Sequence, residues 1–122
     1  MTRLSDAEAR RLGLLPPKPA IRRQVGHQKG PSESDILRTV RDYLRATGWY
    51  VVRIQQGLGC HKGIADLYAI RNGVQIWIEV KTAHGRLSEH QERFRDEIET
   101  HGGRYVVARG VEDVTNLSQQ GG

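Results

Sequence analysis

Apolar residues recur along this chain with two periods. Between residues 32 and 47, Ile36, Leu37, Val40, Tyr43 and Leu44 form one stripe at helical spacing. Pro31 and Ser32 mark the start of that helix, Asp35 follows as a short capping-box variant, and Gly48 ends it. Residues 49–54 are rich in β-branched and aromatic side chains and read as a strand. Residues 64–71 and 74–81 alternate in polarity on either side of Asn72-Gly73, the strongest short-range hairpin signal. A second helix spans 87–101, with Ser88 as its N-cap, Gln91 three residues on, and Phe94 and Ile98 as its inner stripe. Gly102-Gly103 closes it, residues 104–108 form a further strand, and 111–117 a short helix. The order is α-β-β-β-α-β with that short helix after it, which predicts the α/β class: a single mixed sheet flanked by helices.

The chain divides unevenly. Residues 5–15 read as a short helix, with a Ser5-x-x-Glu8 capping pattern and Leu12 and Leu15 on one face. Pro16, Pro17 and Pro19, then Gly26 and Gly30, predict an extended or flexible linker. The expected organisation is a basic, partly flexible leader over 1–31, a body over 32–117, and a disordered tail over 118–122. Residues 55–63 form a loop with Gly57, Gly59 and Gly63 that fits neither a P-loop nor a dinucleotide fingerprint. It reads either as a flexible connector or as a segment that lets a DNA backbone approach, with His61 and Lys62 on phosphates.

Composition narrows the class. A chain of 122 residues suits one core, drawn here mostly from Val, Ile and Leu with a few Tyr and Trp and the single Phe94. Cys60 is the one cysteine, so no internal disulfide forms, which suits a reducing cytoplasm. No apolar run approaches bilayer length and no signal-peptide block stands at the start, so a soluble protein with no membrane partner is expected. The net charge is +5, and its placement matters more than its size. Residues 1–31 hold seven basic and two acidic side chains, while residues 32–122 hold twelve of each. A basic leader on a neutral body suits either a polyanion partner, most simply nucleic acid, or a solvated tail.

The hairpin carries the chemistry. If the turn has two residues, Arg71 faces Val74, Tyr68 faces Trp77, and Asp66 faces Glu79. One face then holds Leu67 and Ala69 against Ile78 and Ile76, which must be core. The other places Asp66, Glu79 and Lys81 together beside two aromatic rings. Directly opposed carboxylates repel. A cation between them removes the repulsion, and hard carboxylate oxygens suit Mg²⁺ or Mn²⁺. Such a cation lowers the pKa of a nearby water and stabilises negative charge on a phosphoryl group, and Lys81 on the same face could orient the nucleophile. The plainer account is a surface Asp and a surface Glu, each paired with a basic neighbour. Zinc has little support, with one Cys and no paired His motif.

Several other residues carry two readings. Glu33 lies on the inward side of the first turn of its helix, where it either complements the helix dipole or serves a site. Gln91 either completes a capping box or points inward as a buried amide that needs partners. His84 and Arg86 fill the loop past Lys81, where a phosphate would lie, or are simply solvated. With Arg53, His61 and Lys62 they make up the candidate DNA-contacting set.

Glu33, the Gly63-Ile64-Ala65-Asp66 run, Glu79-Val80-Lys81 and Leu87-Ser88-x-x-Gln91-x-x-Phe94 together resemble the VRR-NUC domain, the virus-type replication-repair branch of the PD-(D/E)XK nuclease superfamily. Residues 32–114 carry the resemblance. It implies a restriction-endonuclease-like fold and a Mg²⁺- or Mn²⁺-dependent DNA nuclease. By that resemblance Asp66 and Glu79 are metal ligands, the Val80 carbonyl is a further ligand, Glu33 helps to hold the metal, often through water, and Lys81 is the catalytic lysine. Gln91 supports the site. Short stand-alone members, phage and bacterial proteins, look like homodimers that cut branched DNA such as four-way junctions, which implies the cytoplasm of a bacterial or phage-infected cell. The alternative is a nucleic-acid-binding module that keeps the fold without catalysis.

Overall fold

The computed structural model describes residues 4–15 and 30–120. The element order is α1 (Asp6–Arg11), α2 (Glu33–Ala46), β1 (Tyr50–Arg53), β2 (Leu67–Arg71), β3 (Val74–Val80), α3 (Glu89–Thr100), β4 (Arg104–Ala108) and α4 (Glu112–Gln120). The linker expected over residues 16–29 lies outside the described residues, as do 121 and 122.

Four strands form one sheet in the order β1-β2-β3-β4. The first three are antiparallel neighbours, and β4 pairs in parallel with β3 after the α3 crossover. The two-residue turn is present. Asn72 and Gly73 have φ of 50° and 82°, the doubly left-handed turn that matches strand twist. Its register follows: Arg71 faces Val74, Tyr68 faces Trp77 and Leu67 faces Ile78.

That register sorts the side chains. Leu67, Ala69, Ile76 and Ile78 are fully buried on one face, where they pack with Ile36, Leu37, Val40 and Leu44 of α2 and Val114 of α4. Ser32 caps α2 with a reciprocal capping box to Asp35, as the sequence pattern implies. Gly48, at φ 96°, turns the chain out of α2 and into Trp49, which is buried at the head of β1. Helix α3 covers the other face through Phe94, whose ring meets Trp77 edge-on at 5.2 Å and Tyr105 at 6.2 Å.

Three boundaries shift by three residues or more. The strand expected over 64–71 begins at Leu67, because Asp66 spends its side chain on a hydrogen bond to the Val80 backbone N–H, across from the ladder. Helix α1 ends at Arg11, short of Leu15. Helix α4 runs on to Gln120, past Leu117, so its backbone takes in the first residues of the expected tail.

Candidate active site

The acidic pair sits where the β2–β3 ladder ends. The last paired residues are Leu67 and Ile78, and one step further the Asp66 N–H donates to the Ile78 carbonyl at 3.0 Å. Asp66 Oδ2 accepts from the Val80 N–H at 2.8 Å. A strand residue points its N–H and C=O to the same side, so the Val80 carbonyl also faces the Asp66 side of β3. Lys81 leaves the sheet by donating its N–H to the Ala108 carbonyl of β4 at 3.0 Å.

Glu79 is 3% exposed, the one acidic or basic residue buried among the described residues. Its Oε1 accepts from Gln91 Nε2 at 2.7 Å and lies 3.8 Å from Lys81 Nζ. Its Oε2 is buried with no hydrogen-bond donor on it among the described residues, and the nearby Asp66 carboxyl can share a proton with Glu79 only while one of the two acids is protonated. Burial raises the Glu79 pKa to about 8, the Asp66 carboxylate adds to the rise and Glu33 contributes a smaller push, while Lys81 pulls the other way. A buried acid with a bare oxygen beside a second acid is incomplete as a structural ion pair, since buried polar groups are normally satisfied. The donor set suits a hard divalent cation: two carboxylates with a backbone carbonyl on the same side. No group of three Asp, Glu, His or Cys side chains able to hold a metal occurs among the described residues. Asp66 stands beside Glu79, and Glu33 acts on Glu79 through its charge.

Gln91 satisfies both of its sequence readings at once. Its Oε1 accepts from the Ser88 N–H at 2.9 Å and its own N–H donates to Ser88 Oγ at 3.2 Å, which closes the capping box of α3. Its Nε2 is left to hold Glu79. The cap and the site therefore fix each other.

Glu33 opens α2 and is exposed, on the helix that packs against the opposite face of the sheet. Arg53 lies across from Leu67, which places it on the α2 side of the sheet, away from Glu79. Lys62, His84 and Arg86 are exposed, and His84 borders a cleft of about 520 Å³ shared with the Gly30–Ser32 segment, Asp35, Thr82 and Ala83. The His61 ring is tilted against Phe94, with centroids 5.7 Å apart.

Three supporting residues escaped the sequence reading. Arg109 Nη1 donates to the carbonyls of Thr82 at 2.6 Å and Gly85 at 2.7 Å and lies 3.3 Å from that of Ala83, so it clasps the loop that follows Lys81. Gln56 Nε2 donates to the Ile64 and Ala65 carbonyls at 3.1 and 3.3 Å, just before Asp66. Tyr105 places its hydroxyl in the site-face core with no hydrogen-bond partner among the described residues, and burial, then the charge of Glu79, pushes its pKa up. An arginine that seeks carbonyls leaves no periodic trace in a sequence. Gly63 stands in the sequence as a loop glycine and as the start of the Gly63-Ile64-Ala65-Asp66 run, neither of which tells what it packs against. A Cβ there would stand 2.1 Å from the His90 carbonyl oxygen, so its smallness lets the loop press onto the start of α3, inside the protein.

A mixed sheet with helices on both faces carries an acidic pair and a lysine where two adjacent strands end, an arrangement suited to metal-assisted phosphodiester hydrolysis. The VRR-NUC domain family matches residues 23–112, and the chain belongs to that family. Two solved structures share the fold. One described as a VRR_NUC domain is 22% identical, with a TM-score of 0.62 over 71% of this chain and 94% of the other. Another, a VRR_NUC domain protein, is 19% identical, with a TM-score of 0.63 over 76% and 89%. No curated protein matches the chain. Membership makes the protein a nuclease domain, a hydrolase with DNA as substrate, of a kind that generally depends on a divalent metal. Among the described residues no helix is long and apolar enough to cross a membrane.

Proposed function

We propose that this protein is a Mg²⁺- or Mn²⁺-dependent endonuclease that hydrolyses phosphodiester bonds in branched DNA such as four-way junctions. The observation that carries the proposal is Glu79, buried with one bare oxygen between Asp66 and Lys81. Asp66 and Glu79, with the Val80 carbonyl, would hold the cation, and Glu33 would add negative charge at the rim. When bound, the cation would supply Lewis-acid stabilisation of phosphoryl charge and ease the ionisation of water.

The chain's own groups do the rest. The Val80 N–H fixes the Asp66 carboxylate, and Gln91 fixes one Glu79 oxygen and leaves the other for a cation. Lys81, part-buried, sets a cation beside Glu79, suited to orienting the attacking water or a phosphate oxygen. Lys62, His84 and Arg86, all exposed, would meet the DNA backbone, and the basic leader would add attraction outside the neutral body. Symmetric cutting of a junction needs two sites, which argues for a homodimer.

A panel of end-labelled four-way junction, flap and linear duplex tests this with Mg²⁺ and with Mn²⁺. The expected result is junction cleavage in excess of duplex cleavage. Equal cutting of all three would remove the branch selectivity. Salt-sensitive binding without product would replace the enzyme with a binding module.

A further inference from the structure

The face that bears Glu79 continues along β3 into a cavity of about 390 Å³. Trp77 and Phe94 form its floor and Ile98 one wall, while His61, Glu97 and His101 stand exposed at its mouth. Trp77 is held from two sides, by Tyr68 at 4.9 Å and by Phe94 edge-on at 5.2 Å. Its ring is therefore a fixed platform, and it remains part-exposed.

The lining selects its occupant. It contains no Lys or Arg, so a phosphate meets only the imidazole edges of His61 and His101, and the Glu97 carboxylate beside them repels it. An apolar floor of aromatic rings with a few hydrogen-bonding groups at the rim suits a flat, neutral, π-faced ligand. Position supplies the rest. Trp77 precedes Glu79 by two residues on the same strand face, a separation of roughly 7 Å along β3. One nucleotide of a strand held at Glu79 spans that distance. A base inside a duplex is stacked on both sides and cannot enter, whereas an unpaired base can.

We propose that this cavity receives one unpaired nucleobase of the DNA strand bound at Glu79, stacked on Trp77. The pocket rests on the nuclease reading and gives it a reason to prefer branched or gapped DNA, where bases are free. Stacking of this kind tolerates any base.

The test follows binding in EDTA, where no cutting is required. The probes are DNA with 2-aminopurine at an unpaired position opposite a single-nucleotide gap, and the fully paired duplex. Trp77→Ala removes the platform. Glu97→Trp fills the cavity from its exposed mouth and leaves the floor intact, so it carries the test should Trp77→Ala fail to fold. Wild type should change the 2-aminopurine emission of the gapped probe. Both variants should abolish that change and weaken gapped-DNA binding about 5- to 100-fold. Duplex binding should stay within about two-fold, the tolerance expected when no stacking is lost. Equal losses on both probes, or none, would overturn the pocket. So would a dimer turned monomer by either variant in light scattering, which would seat a second copy there through its fully exposed Leu58. Wild type that stacks the probe yet never cuts DNA with Mg²⁺ or Mn²⁺ would retain the pocket and remove the nuclease reading.

Discussion

Replacing Glu79 by glutamine should stabilise the metal-free protein while it destroys the enzyme. The carboxyl is 3% exposed, and its pKa rises from 4.5 to about 8 on burial beside Asp66. In the unfolded chain at pH 7 this group has lost its proton; in the folded one it mostly keeps it. The folded state therefore binds more protons between pH 4.5 and 8, and stability falls as pH rises through that window. Integrated to pH 7, the cost is roughly 3 kcal/mol at about 1.4 kcal/mol per unit. The amide introduced by Glu79→Gln would remain an acceptor for Gln91 and would turn a donor toward Asp66, with no charge to desolvate. Urea denaturation in EDTA measures the difference. At pH 7 the midpoint of Glu79→Gln should exceed that of wild type by about 1 M or more, and the gap should close toward pH 4.5. Saturating Mg²⁺ should favour wild type instead, since only its carboxylate pair gains from the cation. A variant less stable than wild type at pH 7 in EDTA, or a gap independent of pH, would refute the reasoning.

Other consequences follow from the same geometry. Gln91→Ala removes a cap and a support together: it should cost about 1 kcal/mol in thermal unfolding and lower kcat, whereas Ser88→Ala should cost similar stability and retain more of the rate. Arg109→Ala frees the loop that carries His84 and Arg86, so KM for DNA should rise with little change in melting temperature; an unchanged KM would make the clasp merely structural. Removing residues 1–30 should weaken DNA binding and flatten its dependence on salt, and an unchanged slope would reduce the leader to a tail.

Local signals were enough for much of this molecule. Asn72-Gly73 determines the hairpin register and the register determines which face is core, but the ladder stops at Leu67 and Ile78, where the Asp66 N–H bonds Ile78 one residue off the expected opposition to Glu79; the two acids are neighbours by the charge of Asp66 on Glu79. Capping patterns placed α2 and α3 for the same reason: their partners lie three residues away. What escaped was non-local. Nothing near Arg109 in sequence announces three carbonyls on another loop, and nothing near Gly63 announces the His90 carbonyl against it. Periodicity gives each helix a face but not a side of the sheet, so Glu33 and Gln91 appeared equivalent although they come from opposite sides. The dual use of Gln91 was equally hidden, because one side chain carries both a cap and a site contact.

The central claim is that Asp66 and Glu79 form one cation-dependent hydrolytic centre. Asp66→Asn tests it most directly, in cleavage of labelled four-way junction DNA, with cation binding followed in parallel by calorimetry. Wild type should bind Mn²⁺ and cut with Mn²⁺ or Mg²⁺ but not in EDTA, and the variant should lose both while remaining folded and bound to DNA. Cleavage by the variant at the wild-type rate, or wild-type cleavage in EDTA, would contradict the account.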